Sequence, residues 1–312
     1  MTYSIAVLIL ALVALGWTAS GFIGAEMARR VPPAGQFVEV QGGRLHYVEQ
    51  PGDAARAAIV LLHGASSHQA DLFDRLAPLL RGARVIAPDR PGLGWSDRLG
   101  GREMADPARQ AAAVIEALER LGVTQAVLVA HSLAGAMAAR IALERPDLVK
   151  GLVMLAAVSH PWPGRKITWY YHPAAHPVIG PLFVRVLAVP AGAALMQGSI
   201  AGVFAPQQAP PDYAVRAGVG LVLRPASFEA NAQDVAGMYE FVERQAPRYG
   251  ELAMPVVAIA GEEDEVVWTR IHSVGITGQA RNGKLIILPG VGHMPHHAVP
   301  ELIAAEIRAL AG

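Results

Sequence analysis

The hydrophobic pattern changes character twice along the chain. From Ser4 to Ala25 no residue is charged, and apolar residues surround the helical projection on all sides. At about 1.5 Å of rise per residue, such a run can cross a bilayer core of about 30 Å. Glu26, Arg29 and Arg30 end it, and Pro32-Pro33 open a linker. A run apolar on every face is not expected inside a folded domain, and Pro32-Pro33 separate it from the first strand, so residues 1–30 are predicted to add nothing to the hydrolase core.

From residue 36 the pattern alternates. Gln36–Val40 and Arg44–Glu49 bracket Gln41-Gly42-Gly43 and read as a hairpin. Continuous apolar runs occupy 57–62, 84–87, 126–130, 151–156, 256–260 and 284–288, as expected of strands buried on both faces. Between them, 70–80, 107–121, 132–143 and 300–310 carry apolar residues at helical spacing. The alternation predicts an α/β fold, with a mostly parallel eight-stranded sheet and helices on both faces. It stops between Ser159 and about Gln245, where six prolines from Pro161 to Pro190 interrupt apolar stretches. A structureless loop of that length is foreign to a compact domain, so a helical cap above the sheet is predicted. The expected division is 1–30, an anchor; 31–158, the first part of the core; 159–245, the cap; and 246–312, the rest of the core.

Composition removes several function classes. Charged residues are 17% of the chain and Lys+Arg equals Asp+Glu at 26 each, with no basic run, so a nucleic-acid partner is not expected. Cysteine is absent, which excludes disulfides, thiolate metal sites and thiol nucleophiles.

Four segments carry the candidate chemistry. Ser132 follows a buried strand and precedes a helix of small residues, with Ala130 and Ala134 two positions either side. A serine on a strained strand-to-helix turn needs small neighbours there, usually glycine, and the helix start offers free N–H groups to an oxyanion. His63-Gly64-Ala65-Ser66 follows another strand, where Gly64 permits a sharp turn that aims the Ala65 N–H at a substrate oxygen. Asp264 lies in a loop after a later strand, among Glu262, Glu263 and Glu265, and His293 in a Gly-flanked loop after the last one. Parallel strands bring their C-terminal ends to one rim, where α/β proteins bind ligands. His296 and His297, without Cys or a carboxylate at helical spacing, do not read as a metal site.

The order Ser132, Asp264, His293 resembles that of the α/β-hydrolase superfamily. Asp89-Arg90-Pro91-Gly92-Leu93-Gly94-Trp95-Ser96 is similar to that family's Asp-x-x-Gly-x-Gly-x-Ser loop, Gly261-x-x-Asp264-x-Val266 to its acid turn, and Gly292-His293-Met294-Pro295 to its histidine loop. The resemblance covers roughly residues 36–312. It implies a catalytic triad of Ser132, Asp264 and His293, oxyanion donors at the N–H groups of Ala65 and Leu133, and no metal or organic cofactor. Ser66, His131 and Trp95 are further candidates for lining the substrate pocket. It implies a serine hydrolase acting on a small-molecule carboxylic ester or related acyl substrate. Two alternatives stay open: a carbon–carbon bond hydrolase with the same triad, and an accessory protein that keeps the fold without turnover.

For residues 4–25 the alternatives are a retained single-pass membrane anchor and a cleaved signal of an exported enzyme. Met1-Thr2-Tyr3 carries no Lys or Arg and the run exceeds a signal core, which favours the anchor. Arg29 and Arg30 on its C-terminal flank favour a cytoplasmic catalytic domain.

Overall fold

A computed structural model describes residues 2–53 and 55–312. The strands are β1 Gln36–Val40, β2 Gly43–Gln50, β3 Ala58–Leu62, β4 Val85–Pro88, β5 Ala126–His131, β6 Val149–Leu155, β7 Pro255–Gly261 and β8 Asn282–Leu288. They form one eight-stranded sheet in the order β1-β2-β4-β3-β5-β6-β7-β8. β1 and β2 pair antiparallel, as do β2 and β4, and every later pairing is parallel. β3, β5 and β7 carry continuous buried apolar residues because helices cover both faces.

Helices α2 (Ala70–Leu76), α3 (Pro107–Arg120) and α4 (Ala134–Glu144) join the strands, with Pro300–Ala311 closing the chain. Leu72 and Leu76 of α2 meet Ile303 and Ile307 of the last helix on one face. Val114, Leu118, Met137 and Ile141 of α3 and α4 pack on the other. Two expectations need correction. The 284–288 run, read as buried on both faces, belongs to edge strand β8, where only Leu288 is buried. Helix His272–Gln279 has no counterpart among the predicted elements, since Gly275, Gly278 and β-branched neighbours give it little helical propensity.

Between β6 and β7 the described chain contains helices and turns and no strand. A run of helix from Gly180 to Phe204 dominates this segment, with a π turn over Val184–Ala188. The helix Pro225–Ala236 lies beside it, and residues 231–234 reach the core.

The first helix is α1 (Thr2–Arg30). It is exposed over residues 4–12, and its inner stripe rests on this helical segment, a contact the sequence did not suggest. Ser20 is fully buried and donates to the Arg185 carbonyl. A Cβ on Gly16 would lie 2.6 Å from the Val186 oxygen, and one on Gly24 3.2 Å from the Arg224 Cα. Gly16, Ser20 and Gly24 recur every four residues, so one face of α1 is smooth enough for close backbone approach.

Candidate active site

β5 ends in the middle of the sheet, and the chain must reverse into α4 within two residues. Ser132 makes that turn with φ of +53°, a left-handed conformation that costs a non-glycine residue about 1–2 kcal/mol. The turn is held by Ser132 N–H donating to the Leu155 carbonyl (3.1 Å) and by the Ser132 carbonyl accepting from Gly135 (3.0 Å) and Val158 (2.9 Å). Ala130 and Ala134 are completely buried in it. The tightest position is Gly135, where a Cβ would come within 2.6 Å of the Ala157 Cβ.

His293 sits between the other two. Its Nε2 is 2.9 Å from the Ser132 Oγ and its Nδ1 is 2.9 Å from Asp264 Oδ2. Asp264 Oδ1 accepts from the N–H groups of Val266 and Val267, each at 2.9 Å, which fixes the carboxylate plane toward the imidazole. His293 and Asp264 are buried at 3% and 6% exposure, while Glu262, Glu263 and Glu265 are exposed. The neighbouring acids are thus solvated and Asp264 alone among them faces the histidine.

The loop after β3 lies against the serine turn. A Cβ on Gly64 would meet the Ser132 Cβ at 2.9 Å, so glycine is required there by close approach. His63 is fully buried; its Nδ1–H donates to the Gly64 carbonyl (3.0 Å) and its Nε2 accepts from Arg90 N–H (2.9 Å). Burial pushes its pKa down to about 4, so the ring is neutral and holds the loop as a fixed donor–acceptor bracket. Among the described residues, neither Ala65 N–H nor Leu133 N–H donates to a backbone oxygen.

Each of the three pocket candidates has a hydrogen-bond partner of its own. Ser66 exchanges hydrogen bonds with the Asn231 side chain, 2.7 Å to its N–H and 3.0 Å to its hydroxyl, so it ties the loop to the Pro225–Ala236 helix. His131 is buried behind the site: its Nε2–H donates to the His293 carbonyl (3.0 Å) and its ring packs between His293 and His296. Trp95 donates to the Val31 carbonyl (3.1 Å) beneath the Arg224 guanidinium. Asp89 and Ser96 fix the glycine-rich turn: Asp89 accepts from Gln69 and Trp95 N–H, and Ser96 donates to the Asp89 carbonyl.

A cleft of about 380 Å³ opens onto His293, lined by Gly202, Val203, Pro206, Glu263, Val266 and Gly290 among others. One residue near it escaped the sequence reading. Gln207 clamps the histidine loop, donating to the Gly290 carbonyl (2.6 Å) and accepting from Gly292 N–H (3.0 Å). Away from the cleft, Asp234 takes both Arg90 and Arg98; Asp234 and Arg90 are buried and Arg98 is partly exposed. Nothing marks Gln207 as special in one sequence, because its partners are far away along the chain.

The alpha/beta hydrolase fold family model matches residues 57–298. The chain belongs to that family. Among curated relatives, a 2-hydroxymuconate semialdehyde hydrolase of Pseudomonas putida is 34% identical over 94 residues, covering 29% of this chain and 33% of the relative. A pyrethroid hydrolase of Sphingobium wenxiniae is 39% identical over 104 residues, covering 32% and 35%. The chain thus spans about a third of the length of these two relatives. Among solved structures, a membrane phospholipase A superposes with a TM-score of 0.70 at 22% identity, over 99% of this chain and 98% of that one. At that identity the likeness is one of fold.

Proposed function

We propose that this chain is a membrane-anchored serine hydrolase that cleaves a carboxylic ester or related acyl substrate through an acyl-enzyme on Ser132. The observation that carries the reading is the unbroken chain Ser132 Oγ, His293 Nε2, His293 Nδ1, Asp264 Oδ2, with both links at 2.9 Å. In this reading His293 takes the Ser132 proton as Oγ attacks the acyl carbon, and Asp264 keeps Nδ1 protonated and supports the imidazolium. The tetrahedral oxyanion is received by the N–H groups of Ala65 and Leu133, each contributing about 3–4 kcal/mol. His293 then returns the proton to the leaving alcohol. A water, deprotonated by the same imidazole, releases the acid.

α1 serves as a single-pass anchor, and Arg29 and Arg30 on its C-terminal flank favour a cytoplasmic catalytic domain. Labelling by a fluorophosphonate tests the assignment: the wild-type protein is expected to be modified at Ser132 and Ser132→Ala not at all. A folded wild-type protein that resists the probe and hydrolyses no p-nitrophenyl ester would leave only the accessory reading.

A further inference from the structure

The Gly180–Phe204 helix is long and apolar enough to cross a membrane, yet only 17% of its most apolar window is buried. Val178, Ile179, Leu182, Leu187 and Leu195 are all about half or more exposed, with Val178 at 77%. A water-facing helix of this composition is foreign to a soluble monomer. Its one charged residue, Arg185, is turned inward, paired with Glu229 and stacked over the Trp17 ring of α1 at 5.0 Å.

The helix and α1 are built as one unit. Val189 N–H donates to the Val184 carbonyl, an i to i+5 step. The next step of that pattern would pair the Arg185 carbonyl with the nitrogen of Pro190, which has no hydrogen. Ser20 of α1 supplies the missing donor to that carbonyl. Buried carbonyls need a partner, so α1 completes the cap helix rather than merely touching it.

The length of α1 fixes the depth. Residues 4–12 are exposed all round and cover only about 14 Å. A hydrocarbon core of about 30 Å must therefore extend along α1 to about residue 24, just before Glu26. That depth includes Gly16 and Ser20, and with them the Val184–Ala188 turn seated on them.

We propose that α1 and the apolar face from Val178 to Leu195 form one composite surface embedded in the near leaflet of a lipid bilayer, and that the ester reaching Ser132 is an acyl lipid drawn from that leaflet. Beyond Leu195 the helix face turns to Gln197, Gly198 and Ser199, a composition suited to the headgroup layer. Its last turn, Gly202 and Val203, lines the cleft that reaches His293. The embedded face and the site mouth are thus two ends of one helix. The substrate part of this inference rests on the serine-hydrolase reading; the surface part does not.

The absence of cysteine makes the test direct. Leu182→Cys, Leu195→Cys and, as a control at the opposite rim of the sheet, Thr124→Cys are each labelled with an environment-sensitive fluorophore on the full chain in phosphatidylcholine vesicles. Labels on Leu182→Cys and Leu195→Cys are expected to lose most of their emission to spin-labelled lipid and little to aqueous iodide, and Thr124→Cys the reverse. Iodide quenching of both cap labels equal to that of the control overturns the embedded surface. In a second arm, Leu182→Asp with Leu195→Asp is expected to cut hydrolysis of vesicle-borne long-chain ester by about tenfold or more, leaving soluble p-nitrophenyl butyrate unchanged. Equal loss on both esters, or on neither, overturns the lipid-substrate assignment. If wild-type protein hydrolyses neither butyrate nor the vesicle-borne ester while its cap labels are lipid-quenched, the serine-hydrolase reading fails and the surface stands.

Discussion

Two seams in this molecule bring backbones unusually close, and small residues build both. At the serine turn, Gly64, Ala130, Ala134 and Gly135 let the β3 loop, β5 and α4 converge on Ser132. At the anchor seam, Gly16, Ser20 and Gly24 let α1 settle on the cap. They differ in what the closeness is for. The serine turn stores strain, a positive φ at a residue with a Cβ, and the surrounding ladder holds it there. The anchor seam repairs a defect, supplying a hydroxyl to a carbonyl that Pro190 cannot satisfy. A strained seam can be relaxed by substitution; a repairing seam can only be damaged.

The sharpest break in the comparison comes at Ser132. Ser132→Ala is expected to lower kcat by roughly 10⁶-fold while the protein stays folded, measured on a soluble ester. Ser132→Gly is expected to be equally inactive yet to melt higher, because glycine adopts positive φ without penalty, worth about 1 kcal/mol. A Ser132→Gly protein that melts no higher than Ser132→Ala would show that the turn stores no strain. Asp264→Asn comes next, at about 10⁴-fold in kcat, through the wrong imidazole tautomer. A mild Asp264→Asn would require another carboxylate on His293, and Asp234 is already committed to Arg90 and Arg98.

The serine turn was legible in the sequence and the anchor seam was not, for a physical reason. Ser132 and Asp264 follow buried apolar strands and His293 follows the edge strand β8, and parallel strands deliver their ends to one rim, so order along the chain stood for proximity in space. Their polar chemistry also contrasts with the strands before them. Gly16, Ser20 and Gly24 sit in an apolar run where small residues carry no contrast, and their partners lie about 165–200 residues later. For Ser66, His131 and Trp95 the sequence suggested a place near the site, but their hydrogen-bond partners Asn231, His293 and Val31 lie far along the chain and could not be read from it.

Acid should separate the two regions. His63 and His272 are buried acceptors: His63 Nε2 takes Arg90 N–H, and His272 Nδ1 takes Ser159 and His160 N–H at 3.2 Å each. Burial lowers both to about 4 from an ordinary 6.5. The unfolded chain therefore binds protons at these groups below pH 6.5 while the native state does not. Their stabilisation is fully present above pH 6.5 and is lost progressively as pH falls to about 4, by at most on the order of 3 kcal/mol each. Asp89, held at about 2 with burial opposed by His68 and His46, adds its loss only below pH 4. Melting curves from pH 7 to 4 are expected to fall steeply, and His63→Asn to flatten the slope. A melting temperature flat over that range would contradict the buried neutral rings. The Ser20–Arg185 contact has no titrating atom, so the environment of a label beside it should hold across the same range.

The smallest expected effect tests the anchor seam itself. Ser20→Ala removes one hydroxyl from a fully buried position and leaves the Arg185 carbonyl without its partner. The cost should be about 1–3 kcal/mol, the desolvation penalty of an unpaired buried carbonyl. Pro190→Ala restores a backbone N–H at the position the π turn would use. If the serine compensates for the proline, the two substitutions are coupled: Ser20→Ala should cost less in a Pro190→Ala background than alone, by about 1 kcal/mol in a double-mutant cycle. Thermal unfolding of the four proteins in the same detergent measures this. Additive effects would mean that Ser20 merely fills space, and the small-residue stripe would then be a fit between two helices and not a repair of one by the other.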